Sequence, residues 1–166
     1  IAREMAAGFL GYLACLPLLL GGIITTIVLM FIYKAFRAAM GLGEPPMPHN
    51  PVLDLASGKT GPFLVIMVFL LASLWAPLVE EVVFRGALYR HLRSRITVGM
   101  AAVLTALGFG LMHGDPIIML GPVIALGAGF ALMREWRGSI IASMTAHCIH
   151  NASVLTLVIV MAKLLG

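Results

Sequence analysis

The chain has 166 residues, of which 61% are apolar and 11% charged, where soluble domains average about 45–50% and about 25%. Too little polar surface remains to keep a domain of this size in water, which excludes a soluble enzyme, a disordered chain and a nucleic-acid-binding module. The net charge of +4, from 11 Lys and Arg against 7 Asp and Glu, is no nucleic-acid signal, because these charges flank apolar runs as headgroup anchors and orientation signals do.

Uncharged stretches follow in chain order at residues 5–33, 60–79, 96–114, 116–133 and 138–162. Each is long enough to cross a ~30 Å hydrocarbon core as a helix. Runs without alternation are helices rather than barrel strands. The expected fold is therefore all-α, a polytopic transmembrane bundle of about five spans. Pro17 and Pro77 fall inside spans and are expected to kink them. Residues 34–59 form the long linker, in which Pro45, Pro46, Pro48 and Pro51 forbid regular helix. The connections at 93–97, 114–116 and 134–138 are short and make neighbours antiparallel. Gly121, Gly127, Ala128 and Gly129 read as close helix packing, or as room for a substrate. Cys15 and Cys148 lie in apolar runs and are not expected to pair. Ile1 in place of Met is expected of a trimmed or partial chain. If the spans alternate sides, one side holds Arg3, Arg90, Arg93, Arg95, Arg134 and Arg137 and the other Lys34, Arg37, Lys59 and Lys163. The arginine-rich side is then expected to be cytoplasmic.

An ionisable group inside a span is a functional hypothesis by default. Such groups occur in Glu80-Glu81-Val82-Val83-Phe84-Arg85, in Phe109-Gly110-Leu111-Met112-His113 and in His147-Cys148-Ile149-His150-Asn151. Glu81 and Arg85 stand at i,i+4 with the acid first, the favourable order for an ion pair. Glu80 points about 100° away and is left as the free carboxylate. Phe109 and His113 share a face, as do His147 and Asn151. Glu80 lies as far before the turn at Ile96-Thr97 as His113 lies after it, so in an antiparallel hairpin the two are level. The stretch 85–95 is expected to protrude as an amphipathic extension, which brings His147 and Asn151 to a comparable depth. The four side chains can then converge in one cavity.

A carboxylate beside an imidazole can hold and deprotonate a water. An Asn amide and an imidazole N–H suit a developing oxyanion. The set is competent for amide hydrolysis, and neither Ser143 nor Ser153 is marked as an activated nucleophile. His150 is read as packing, or as a substitute for His147. Glu80, His113 and His147 are also permissible zinc ligands, although no His-Glu-x-x-His pair is present.

At these residues the chain resembles the CAAX-protease and bacteriocin-processing family, the glutamate-type intramembrane proteases also called the abortive-infection family. Its pattern of Glu-Glu-x-x-x-Arg, Phe-x-x-x-His and His-x-x-x-Asn or Asp stands in order as Glu80-Glu81…Arg85, Phe109…His113 and His147…Asn151. The likeness covers roughly residues 60 to 160, and the chain has fewer spans than many members. It implies that Glu80 and His113 activate water, that His147 and Asn151 stabilise the oxyanion, and that Glu81 and Arg85 hold the helix. It implies no required metal, zinc being possible. The implied partners are membrane lipid and a membrane-associated protein or peptide, with no nucleic acid. Prenylated proteins, leader peptides and C-terminal anchors are the implied substrate classes. Residues 1–59 are then an N-terminal span with a Pro-rich loop, and 60–166 the catalytic membrane core. The expected location is a plasma membrane of bacterial type. A non-catalytic immunity or scaffold protein, a zinc metalloprotease and a proton-relay transporter are the rival readings.

Overall fold

A computed structural model of the chain describes residues 1–43, 61–113 and 117–165. Apolar segments in lipid must satisfy their own backbone groups, and here they do so as helices. The described residues form α1 (Ala2–Ala39), α2 (Pro62–Arg93), α3 (Val98–Met112), α4 (Ile117–Arg137) and α5 (Ile141–Leu165), with no strand among them. The protein is an integral membrane helical bundle. By length and composition α1, α2 and residues Ile141–Leu164 of α5 can each cross a membrane. Of the two remaining helices, only α3 is shorter than the run expected for it. α3 has 15 residues, roughly 22 Å, which is short of a ~30 Å core. α4 covers residues 117–133 of its expected run and continues into a charged turn with Arg134, Glu135 and Arg137.

The first boundary also differs from expectation. Lys34 is not in a linker, because α1 runs on to Ala39. Nothing between Lys34 and Met40 breaks a helix, and termination waits for Gly41. Its φ of 67° is the left-handed conformation that glycine adopts without a Cβ penalty. The Leu42 N–H reaches back to the Arg37 carbonyl at 2.9 Å, closing the helix end. The prolines expected to break the linker, Pro45, Pro46, Pro48 and Pro51, lie outside the described residues, as does the 114–116 connection. Between α2 and α3 the turn is set by Thr97, whose hydroxyl accepts from the Met100 N–H as an N-cap.

Small residues bring the helices together. A Cβ on Gly22 would lie 2.7 Å from the Gly121 carbonyl oxygen, one on Gly129 would lie 2.6 Å from Cys15 Sγ, and one on Gly8 would lie 2.5 Å from the Ala142 carbonyl oxygen. α1 therefore runs antiparallel along α4 and parallel beside α5. Gly127 does the same against α3, where its Cβ would meet Ala106 and Phe109 at 3.2 Å. Of the two readings for the α4 glycines, close packing is what these contacts describe. Both cysteines are free.

Charges tie the arginine-rich end. Arg137 holds Glu4 through two bonds, 2.6 and 3.2 Å. Arg93 Nε donates to Glu135 at 3.1 Å and the Tyr89 hydroxyl donates to the same carboxylate at 3.0 Å. The Arg93 guanidinium, with Tyr89 and Arg134 nearby, holds the Glu135 carboxyl below its usual range. The stretch 85–95 does not protrude as a unit. Arg85 is fully buried and Tyr89 only 2% exposed, both packed inside the bundle, and Leu92 and Arg93 still contact the other helices, Leu92 beside the Tyr89 cluster and Arg93 at Glu135. The reason is that Arg85 finds its partners within the protein instead of in water.

Candidate active site

Two wide turns shape α2. Residues Leu71–Trp75 and Val82–Leu88 are π-helical, and the α-helical Ala76–Glu81 lies between them. Such turns insert one extra residue and cluster at functional sites. The two acids sit at the end of the bracketed segment.

Glu81 and Arg85 form a wholly buried pair, Arg85 Nη1 donating to Glu81 Oε1 at 2.8 Å. Arg85 Nη2 donates to the Gly127 carbonyl at 3.0 Å. Its guanidinium carbon lies 4.4 Å from the Phe109 ring centroid and 5.3 Å from that of Phe130. A cation at this depth is tolerable only with such partners. Glu81 Oε1 also faces His147 Nδ1 at 3.1 Å. A carboxylate that already accepts from an arginine can only accept here, so His147 Nδ1 carries a hydrogen. In the neutral ring Nε2 is then an acceptor, and it faces Glu80 Oε2 at 3.7 Å.

His113 is oriented by the same logic. It caps the end of α3, and its Nδ1 lies 2.8 Å from the Phe109 carbonyl. A carbonyl accepts only, so Nδ1 donates and Nε2 is left with its lone pair. That nitrogen lies 3.9 Å from Glu80 Oε2. Glu80 Oε2 itself is buried and has no hydrogen-bond partner among the described atoms. The Glu80 and His113 side chains as a whole are 29% and 33% exposed, whereas His147 is 3% exposed. The cluster thus has an open side and a closed one. Phe109 packs on both imidazoles, with ring centroids 4.5 and 5.6 Å apart, and Phe130 lies 5.1 Å from His147.

Glu80, His113 and His147 are therefore brought together. The hairpin register that levels Glu80 with His113 is the one found. Asn151 is engaged elsewhere, its Nδ2 donating to the Ala72 carbonyl of the first wide turn at 2.8 Å. His150 does not replace His147. It turns toward α1, where the Tyr12 hydroxyl lies 3.4 Å from its Nδ1. Ser143 is buried and donates to the Ile140 carbonyl, as a helix hydroxyl does. Phe130, the Gly127 carbonyl, the Ala72 carbonyl and Tyr12 carry no mark in the sequence that links them to these groups.

Glu80, His113 and His147 offer the donor atoms a zinc ion takes, with each imidazole held through its other nitrogen. Among the described residues, however, no group of three or more His, Cys, Asp or Glu is gathered as a metal site. The geometry in hand is that of a carboxylate facing two imidazoles across gaps too long for direct hydrogen bonds.

No curated protein and no solved structure matches the chain. A family model described as type II CAAX prenyl endopeptidase Rce1-like matches residues 62–153, more than half of the chain and the stretch that holds every residue of the cluster. The chain belongs to the Rce1-like family of type II CAAX prenyl endopeptidases.

Proposed function

We propose that the protein is an intramembrane endopeptidase that hydrolyses a peptide bond of a membrane-associated protein or peptide, using water activated by Glu80 and His113. The observation that carries this reading is the buried, unpartnered Glu80 Oε2 facing two imidazole Nε2 atoms at 3.9 and 3.7 Å. Those gaps suit a shared water. Such a water gives one hydrogen to Glu80 Oε2 and the other to His113 Nε2, leaving an oxygen lone pair for the scissile carbonyl. Glu80 takes the proton as the C–O bond forms. It returns the proton to the leaving nitrogen as the C–N bond breaks.

His147 and Asn151 are proposed to stabilise the oxyanion. For His147 this has a condition. With Nδ1–H directed at Glu81, Nε2 donates only in the imidazolium form, for which Glu81 supplies the facing negative charge. Asn151 has a second amide hydrogen beyond the one given to Ala72. The chemistry uses no metal, so chelators leave turnover unchanged, whereas the zinc-dependent alternative predicts its loss.

Family membership supports a prenylated C-terminal peptide as substrate, ahead of leader peptides and C-terminal sorting anchors. The excess of arginine at one end of the bundle supports a cytoplasmic site. The deciding assay uses purified protein and a farnesylated CAAX peptide. Glu80→Gln should lower kcat by about 10²–10⁴-fold, the usual contribution of a general base, with binding retained. A Glu80→Gln protein that turns over like the parent refutes the reading.

A further inference from the structure

α2 carries a proline just after its first wide turn, and a backbone account of that turn leads to Asn151. In a π turn each N–H reaches the fifth carbonyl back, and the Ala76 N–H accordingly donates to the Leu71 carbonyl. The Ala72 carbonyl has thereby lost Ala76, its donor in an ordinary α-helix. The next donor in the wide register is residue 77. That residue is Pro77, buried inside α2, and it has no N–H to give. A carbonyl left bare at this depth is costly, and a neighbouring helix must satisfy it. The Asn151 amide does so at 2.8 Å.

We infer that Pro77 is a positioning residue. By withholding an N–H from the Ala72 carbonyl it reserves that acceptor for Asn151, and so fixes the Asn151 amide one turn beyond His147 on α5. The proline expected to kink the span thus acts through a hydrogen bond that it cannot make. Its effect on turnover rests on the oxyanion role proposed for Asn151, but the positioning itself does not.

Alanine at position 77 restores the competing N–H. Pro77→Ala ordinarily raises helix stability, so a loss of turnover at equal or higher melting temperature is not explained by unfolding. The experiment compares the full chain in detergent as wild type, Pro77→Ala, Asn151→Ala and the double variant, with the farnesylated peptide as probe. Pro77→Ala should lower kcat about tenfold or more, toward the ~10²–10³ of a lost oxyanion donor, with KM unchanged. In the Asn151→Ala background the same substitution should change kcat by less than about twofold, because the partner is already gone. A second readout needs no activity. In protein labelled at asparagine, the Asn151 side-chain amide signal, told from that of Asn50 by its loss in Asn151→Ala, should shift in Pro77→Ala. An unmoved Asn151 signal, or an equal kcat loss with and without Asn151, overturns the inference. If the parent cleaves no peptide, the peptidase reading falls and the amide signal alone decides the positioning.

Discussion

Replacing Arg85 by methionine removes a buried cation and leaves a buried anion behind. Arg85 gives one charge-assisted bond to Glu81 and one to the Gly127 carbonyl, and its guanidinium stacks 4.4 Å from Phe109. Glu81 Oε2 is already unpartnered, so after the substitution His147 alone faces that carboxylate. Breaking a buried pair at one partner costs roughly 3–5 kcal/mol, because the surviving charge is stranded. That is roughly two to four powers of ten in the folding equilibrium. The double variant Glu81→Leu/Arg85→Met removes both charges, and apolar replacement of a buried pair is often neutral. Reversible unfolding in mixed micelles, followed by circular dichroism, should show Arg85→Met strongly destabilised and the double variant recovering most of the loss. The recovered protein should still be slow on peptide, because His147 has lost the carboxylate that orients it. A single variant within about 1 kcal/mol of wild type, below the range for a stranded charge, or a double variant no better than the single, refutes the reasoning.

Two further outcomes follow from packing and from charge at the bundle end. Gly22→Ala should destabilise by about 1–3 kcal/mol, since its Cβ would meet the Gly121 backbone at 2.7 and 2.9 Å, which cannot swing aside. Gly21→Ala, with nothing within 4 Å, should be neutral or stabilising by up to about 1 kcal/mol, and thermal unfolding of the pair separates the cases. Glu135 has its folded-state pKa lowered, chiefly by Arg93. Its stabilising contribution is present above the ordinary carboxylate pKa of about 4.3 and is lost as pH falls through the lower folded value. Because both partners are exposed, the amount is at most about 1 kcal/mol. The Glu135→Gln protein should melt lower than wild type at neutral pH and match it in acid, and an equal deficit at both pH values counts against the pair.

Local helix geometry explains what could be read in advance. The Glu81–Arg85 pair follows from a spacing of four, and the meeting of Glu80 with His113 follows from equal counts on either side of one short turn. Neither requires knowing how a helix is rotated in the bundle. That rotation is what sequence leaves open, because these helices are apolar on all sides and carry no polar stripe to orient them. The contact of His150 with Tyr12 and the seat of Arg85 between Phe109 and Phe130 belong to that class. The wide turns escaped for a different reason. Nothing in Leu71–Trp75 departs from good helix composition, and its register depends on a carbonyl being satisfied by Asn151, far along the chain. Pro77 was visible as an interruption, but its consequence needed the position of α5. The short α3 shows the opposite error, an uncharged run that overstates the helix within it.

The placement of wide turns on both sides of Ala76–Glu81 has a consequence for comparing related chains. Each adds one residue to its turn, so deleting a single residue from either would leave hydrophobic character untouched. The wide turn would relax to an ordinary α turn, and the flanks of α2 would keep their relative rotation. What would change is the freed carbonyl, because without the first wide turn the Ala76 N–H would return to Ala72 and close it to Asn151. Among homologues, single-residue gaps within residues 71–88 should therefore fall at these two turns.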